Sequence, residues 1–192
     1  MSDPSDNDLA VCWKNGEVGA YNQLVHRHLD RVHRYVLLRC GNPADADDIC
    51  QEIFLEVCLK IANFDPHYPF TAWLYTIARN KTADRLRKRP ALEVFHPDHH
   101  GETETMRPSD PLERREAAAE AWNKVFKLLP DNQATALWLR VQAQMSIEQI
   151  SSTMDQSLSN VKVLLFRARQ TLSKSWDTPA TAQKNDSIPS IL

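Results

Sequence analysis

The sequence predicts an all-α protein of two small helical domains joined by a flexible linker, and three observations carry that prediction. Only four glycines occur in 192 residues, and the apolar–polar alternation that marks strands is scarce. Apolar residues recur instead at helical spacing through two long blocks. Between the blocks, from Pro90 to about Leu112, four prolines, three histidines and the run Gly101-Glu-Thr-Glu-Thr break every apolar pattern. A structureless stretch of that length is unusual inside a compact domain. Residues 1–90 and 114–176 are therefore expected to be the domains and residues 91–113 the linker. The Thr-, Ser-, Ala- and Pro-rich residues 177–192 are expected to be a disordered tail.

In the first block, Ala20, Leu24, Val25, Leu29 and Val32 form an apolar stripe at helical spacing, continued by Tyr35, Val36 and Leu38. Gly41 then stops the helix, as glycine does just past a C-terminus. Asn42-Pro43 reads as an N-cap with proline in the first turn. Asp45, Asp47 and Asp48 follow where the helix dipole favours acids. Ala46, Ile49, Cys50, Ile53, Phe54, Val57, Cys58 and Ile61 make the buried face of that helix. Asp65-Pro66 and Tyr68-Pro69 break the chain, and a new helix starts near Phe70, with Phe70, Trp73, Leu74, Ile77 and Ala78 inward. It ends near Pro90, because the residue before proline disfavours helix. Trp73 is read here as a core residue.

In the second block, helical spacing runs from Glu113 to Leu129, where Pro130 stops it. Asp131 caps the next helix, with Ala134, Leu137, Trp138 and Val141 inside. Ser146-Ile-Glu-Gln149 is a capping box opening a short helix to Met154. Ser157 or Ser159 caps a last helix with Leu158, Val161, Leu165, Ala168 and Leu172 on one face.

A formal net charge of −2 argues against a nucleic-acid binder until the charges are mapped. Asp45, Asp47, Asp48, Glu52 and Glu56 cluster in one helix, whereas Arg79, Lys81, Arg85, Arg87, Lys88 and Arg89 cluster in the next. Local fields guide binding more than the total does. The acidic, polar N-terminus is no signal peptide, and no apolar run reaches the ~20 residues of a membrane span, so a cytosolic location is expected. Cys12, Cys40, Cys50 and Cys58 lack C-x-x-C spacing and read as small core residues rather than metal ligands or disulfides.

The two short helices capped at Ser146 and near Ser157 fit a helix-turn-helix. Ser159, Asn160, Lys162, Val163, Phe166 and Arg167 would then face outward, the first three near the end that enters a major groove. Asn and Lys can read base edges at about 1–3 kcal/mol of discrimination each. Arg167, Arg169 and Lys174 could contact phosphates. An ordinary helical hairpin with a solvated basic face is the other reading of this spacing.

Several stretches carry a family resemblance. Asp45-Ala-Asp-Asp-Ile-Cys-Gln-Glu-Ile-Phe54 resembles the acidic signature of region 2 in sigma-70-type RNA polymerase sigma factors. Phe70-Thr-Ala-Trp-Leu-Tyr-Thr-Ile-Ala-Arg-Asn80 and Asp84-Arg-Leu-Arg87 resemble the part that follows it. Leu129-Pro130, Met145-Ser-Ile-Glu-Gln-Ile150 and Val161-Lys-Val-Leu-Leu-Phe-Arg-Ala-Arg169 are similar to region 4. The likeness covers roughly residues 18–89 and 115–174. Two blocks in this order with a short linker point to the extracytoplasmic-function (ECF) group.

The resemblance implies a bacterial initiation factor without enzymatic activity or cofactor. Its region 2 helical bundle binds the clamp of core RNA polymerase and melts the promoter −10 element. Its region 4 helix-turn-helix reads the −35 element and touches the beta-subunit flap. Carried over by position, Asp48, Gln51 and Glu52 meet the clamp, where an acidic face suits a basic partner; a merely solvated helix face is the bland reading. Phe64, Phe70, Asn80, Asp84, Arg85, Arg87, Lys88 and Arg89 fall at the −10 element, with the aromatics stacking on flipped bases and the basic residues holding the backbone. Ser159, Asn160, Lys162, Val163, Phe166 and Arg167 fall at the −35 element. The resemblance also implies an anti-sigma factor as partner, in many members membrane-anchored. It further implies that the linker, about 23 residues with a random-coil reach of roughly 25–30 Å, threads into the polymerase channel. This recognition helix departs from the common pattern: it has Ser159-Asn160 instead of Gly-Thr and Leu164 where a basic residue is usual.

Two other functions deserve comparison. A helix-turn-helix regulator acting without polymerase would need no acidic clamp face and would usually dimerise on a palindrome. A metal enzyme built on His96, Asp98, His99, His100 and Glu102 would place its ligands in the expected linker, without a rigid scaffold.

Overall fold

The computed structural model describes residues 3–88 and 111–177, and all regular structure among them is helical. The chain divides into two compact units, Met1–His99 and His100–Leu192.

The first unit contains α1 (Asp6–Lys14), α2 (Val18–Cys40), α3 (Pro43–Lys60), a single 3-10 turn (Ile61–Asn63) and α4 (Phe70–Lys88). α1 precedes the first apolar stripe read in the sequence. It forms because Ser5 and Asp8 make a capping box: the Asp8 N–H donates to Ser5 Oγ at 3.2 Å and the Ser5 N–H to Asp8 Oδ2 at 3.1 Å. The helix buries Leu9 and Ala10 and packs on α2. Its acidic start is anchored as well. Asp6 Oδ1 accepts from Arg27 at 2.9 Å and Asp6 Oδ2 lies 2.8 Å from His28 Nε2. Asp3 pairs with the same arginine at 2.7 Å. The hydrogen bond to His28, helped by Arg27 and opposed by burial, brings the Asp6 carboxyl down to about 2.

That pairing changes which face of α2 is buried. The interior positions are Ala20, Leu24, His28, Val32, Tyr35 and Val36, whereas Leu29 is exposed and Val25 half-buried. An imidazole only 4% exposed takes an interior place, because Asp6 satisfies it; without a partner its burial would be costly. Gly41 ends α2 at φ 71°, its N–H donating to the Leu37 carbonyl at 2.9 Å. Asn42 caps α3 by accepting the Asp45 N–H at 3.2 Å. Ala46, Ile49, Cys50, Ile53, Phe54 and Val57 of α3 then face the core, with Cys58 and Ile61 half-buried at its margin. Burial pushes the Cys50 thiol up to about 12, so it is an inert filler, and all four cysteines are free.

Aromatic packing closes the other side. Phe64 and Phe70 meet edge to face at 5.8 Å, Trp73 leans on both at 5.4 and 5.8 Å, and the His28 ring lies 5.7 Å from Phe70. Phe64 and Phe70 are 1% and 2% exposed, and Trp73 is half-buried.

In the second unit, α5 (Pro111–Leu128), α6 (Asp131–Val141), α7 (Ile147–Met154) and α8 (Leu158–Asp177) follow in order. α5 starts at Pro111, so it takes in the last residues expected as linker. Asp177 likewise belongs to α8 rather than to the tail. Residues 91–110 of the expected linker and 178–192 of the tail, with His96, Asp98, His99, His100 and Glu102, lie outside the described residues. α6 is the hub: Ala134, Thr135, Ala136, Leu137, Trp138 and Leu139 are all buried. Trp138 meets Trp122 edge-on at 4.9 Å and Phe126 at 6.1 Å. Val141 is half-buried. On α8, Val161, Leu165, Ala168 and Leu172 are buried, but Leu158, expected inward, is 45% exposed. It is the first residue of the helix, ahead of the buried turn.

Two outcomes are expected. A carboxyl lowered from 3.8 to about 2 on folding contributes stability that is present above 3.8 and lost as pH falls towards 2. Asp6→Asn should therefore lower the unfolding midpoint at neutral pH, with the gap to the parent closing across that acid window. Denaturation at a series of pH values checks this, and a pH-independent gap would sink it. Second, Phe64→Ala should cost about 3–5 kcal/mol. Tyr68→Ala, at a ring 61% exposed, should stay within about 0.5 kcal/mol in the same measurement.

Candidate nucleic-acid and protein interfaces

The acidic and basic helices read as separate clusters in the sequence are packed together. Asp48 and Gln51 are exposed on α3 and Glu52 half-exposed, outside the buried stripe that contains Ile49 and Ile53. α4 packs against α3 and brings two cations to that acidic side. Lys81 Nζ lies 2.8 Å from Glu56 and 3.9 Å from Glu52. Arg85 lies 3.6 Å from Glu52 and 3.9 Å from Asp48.

These contacts are unequal. Glu56 is gripped by Lys60 at 2.6 Å and by Lys81 at 2.8 Å, and those hydrogen bonds, Lys60 first, hold its carboxyl below the usual range. The hydrogen bond to Glu56 in turn raises Lys81. At 3.6–3.9 Å the Arg85 contacts are ion pairs without hydrogen bonds. Exposed pairs of that kind contribute about 0–1 kcal/mol. Asp48 and Glu52 thus remain open to a stronger external cation, while Glu56 is committed inside the unit. Arg85, expected to hold a nucleic-acid backbone, is drawn towards α3 while its side chain stays 44% exposed. Arg87 is paired with Asp84 on its own helix. Arg85 and Lys88 line an open cleft of about 410 Å³ with Asn42, Asp45 and Ile49. Asn80 is exposed on α4, and Arg89 lies outside the described residues.

The aromatic loop also differs from expectation. Phe64 and Phe70 are not stacking platforms in this fold, because both rings fill the core beside Trp73 and His28. The loop presents His67 and Tyr68 to solvent instead. Its backbone is tightly tied. Asp65 Oδ1 accepts the His67 N–H at 3.0 Å, and the Tyr68 N–H reaches the Asp65 carbonyl at 3.1 Å. The backbone bond from His67, then its side chain, hold the Asp65 carboxyl low. From α1, Asn7 and Lys14 bond the loop backbone. These two residues were missed in the sequence. The signal that could have found them is Ser5-Asp-Asn-Asp8 followed by Leu9, Ala10 and Trp13: a capping box ahead of apolar residues.

In the second unit α7 and α8 form the expected pair of short-turn helices. Both capping-box bonds of Ser146 and Gln149 are made, at 3.2 and 2.8 Å. Asp155 ends α7 at φ 53°, a left-handed conformation to which Asp is better suited than most side chains. Of the two candidate caps, Ser157 serves, accepting the Asn160 N–H at 3.2 Å. Arg140 braces the preceding turn through the Met145 carbonyl at 2.7 Å. Ser159, Asn160, Lys162, Val163, Phe166 and Arg167 are all exposed on one flank of α8, Phe166 at 65%. The side-chain amide of Asn160 donates to Gln156 Oε1, so one of its two donors is used locally.

Among the described residues no cluster of His, Cys, Asp or Glu could hold a metal ion. No described helix is long and apolar enough to cross a membrane.

Comparison with known proteins joins these two units. Residues 24–90 match the family model "Sigma-70 region 2" and residues 121–172 match "Sigma-70, region 4", together more than half of the chain. The ECF RNA polymerase sigma factor SigW of Bacillus subtilis (strain 168) is 28% identical over 177 residues, spanning 84% of this chain and 91% of that protein. BldN of Streptomyces coelicolor, also named an ECF RNA polymerase sigma factor, is 32% identical over 83% of this chain and 61% of its own length. Two solved structures share the fold. CnrH, in complex with the cytosolic domain of CnrY, has a TM-score of 0.69 at 23% identity over 92% of this chain and all of the other. The sigma factor RpoE of Bartonella quintana, in complex with the anti-sigma factor NepR, has a TM-score of 0.62 at 20% identity over 82% of this chain and 97% of the other. With both regions matched in order and curated relatives of one kind aligned along most of its length, this chain belongs to the sigma-70 family, in its extracytoplasmic-function group.

Proposed function

We propose that the chain is an alternative sigma factor that docks on core RNA polymerase in the cytoplasm and directs promoter-specific initiation by binding alone, without enzymatic activity. The observation that carries this reading is the presence of both sigma regions in one chain, with Asp48, Gln51 and Asn80 exposed in the first and Lys162 and Arg167 in the second. A regulator independent of polymerase would have no use for the region 2 match, so that alternative has no support.

In this reading Asp48, Gln51 and Glu52 of α3 meet a basic surface of the polymerase clamp. Charge complementarity steers such an encounter, and the weak hold of Arg85 on Asp48 and Glu52 sets only a small barrier to exchange of partners. Opening the −10 element requires unpairing at a few kcal/mol per base. Asn80 supplies donors and an acceptor for an exposed base edge. The exposed His67 and Tyr68 supply rings for stacking, at about 1–3 kcal/mol per base, in place of the buried Phe64 and Phe70. Lys88, with Arg85 and Arg87 once released from their acids, holds the backbone.

At the −35 element, the start of α8 enters the major groove. Ser159, Lys162 and the remaining donor of Asn160 make polar contacts there, Arg167 reaches phosphate, and Val163 and Phe166 suit thymine methyl groups. A tether between the two units makes their weak separate affinities cooperate. Both solved relatives above were seen with a partner, one of them named an anti-sigma factor, and a partner of that kind is proposed for this chain.

Run-off transcription with purified core polymerase on a promoter library tests the reading as a whole; absence of any sigma-dependent transcript would overturn it. Asn80→Ala should reduce promoter opening about tenfold, equivalent to ~1.4 kcal/mol, with core binding unchanged. Asp48→Lys combined with Glu52→Lys should weaken core binding in a pull-down. Arg85→Ala, which breaks the same internal pairs but keeps the acids, should not. Equal loss in both would assign the effect to the internal network instead of the clamp.

A further inference from the structure

We infer that Asn7 is a positioning residue for −10 specificity, acting from α1 by setting the shape of the loop between Phe64 and Phe70. The inference rests on the −10 reading proposed above.

One side-chain amide satisfies three main-chain groups of that loop. Asn7 Nδ2 donates to the Pro66 carbonyl at 2.9 Å and to the Tyr68 carbonyl at 3.1 Å, while Asn7 Oδ1 accepts the Phe70 N–H at 2.8 Å. Phe70 opens α4, so its N–H is one of the orphan donors of a helix start. Asn7 therefore caps α4 from about sixty residues away in the sequence. At the other end of the loop, Lys14 Nζ donates to the Phe64 carbonyl at 2.9 Å. The two ends of α1 thus bracket the loop, and the neighbour of Asn7, Asp6, fixes α1 to Arg27 and the buried His28.

Asparagine is the side chain this arrangement requires. It offers two donors and an acceptor in one plane. Aspartate would keep the acceptor for Phe70 but set a carboxylate against two carbonyl oxygens. Alanine would leave all three groups without this partner. With the backbone pinned, the exposed His67 and Tyr68 are held in one arrangement before DNA arrives, and an interface ordered in advance loses less on binding. Because Asn7 has no base contact in this account, its effect must appear as altered base preference at unchanged docking.

The test uses the full chain assembled with core polymerase and a duplex promoter library randomised over the −10 segment. Open complexes are sequenced at equal occupancy of core. Asn7→Ala and Asn7→Asp should flatten the preference for the favoured −10 bases by about tenfold, within the range that one good base contact carries. Val32→Ala, a cavity in the core of the same unit at a residue fully buried, serves as the control for loosening in general and should leave the preference intact. Unchanged preference in both Asn7 variants overturns the inference, as does equal flattening in Val32→Ala. Tyr68→Ala and Asn80→Ala separate the two levels. If they shift the preference and the Asn7 variants do not, the positioning role alone fails. If they too have no effect, the −10 reading fails and this inference with it.

Discussion

The carboxylate of Asp6, held between Arg27 and the buried His28, is the tie on which the first unit depends. Without it, an imidazole at the centre of α2 would face the core unpaired, and α1, which buries only Leu9 and Ala10, would lose its tie to Arg27 and His28. With it, Asn7 and Lys14 are presented to the loop that precedes α4, and His28 packs on the ring of Phe70. A small unit buries a smaller share of its surface than a large one, so each large ring in its core counts. Phe64 and Phe70 go inward, and the proposed −10 reading therefore assigns recognition to residues the core does not use: His67, Tyr68 and Asn80.

The near-neutral charge of the chain has a structural counterpart in the first unit. α3 and α4 pack together, so the acids of one helix meet the cations of the other. The contacts form a gradient, from the hydrogen-bonded Glu56–Lys81 pair at 2.8 Å to the looser Arg85–Asp48 contact at 3.9 Å. Hydrogen-bonded charges are the strong ones, and loosely paired exposed ones contribute little. The Glu56 end therefore acts as part of the fold. The Asp48 end keeps its charges on the surface, where their field still reaches a partner within about one Debye length of ~8 Å.

Much of this was legible in the residues. Caps and stops set the ends of α2, α3 and α7, because Gly41, Asn42-Pro43 and Ser146 with Gln149 act locally and need no tertiary context. The buried face of α3 followed from period alone. Three features depend on partners distant in the chain. Leu29 lost its interior place to His28 because Asp6 lies across from it. The Phe64 ring points inward although composition does not say which way a turn points, whereas Phe70 goes inward as its helical register predicts. Arg85 could be counted as basic, but its approach to Glu52 depends on how α3 and α4 pack. Leu158 is a separate case. It continues the apolar register, yet it stands at the helix start, where no neighbouring turn covers it.

On the proposed reading of both sites, the two units hold a recognition surface steady by different means. In the first, the reading loop has no regular structure of its own and is pinned by side chains from a separate helix. In the second, the reading side chains stand on a helix whose own hydrogen bonds fix them. The bracing is local: Ser157 caps α8, Gln156 holds Asn160, and Arg140 secures the turn before α7. A helix presents base contacts with little need for outside support, whereas a loop must borrow its rigidity. A loop shaped around bases that leave the duplex cannot be replaced by a straight helix face. On that reading, bracing from α1 supplies the rigidity that the loop lacks by itself.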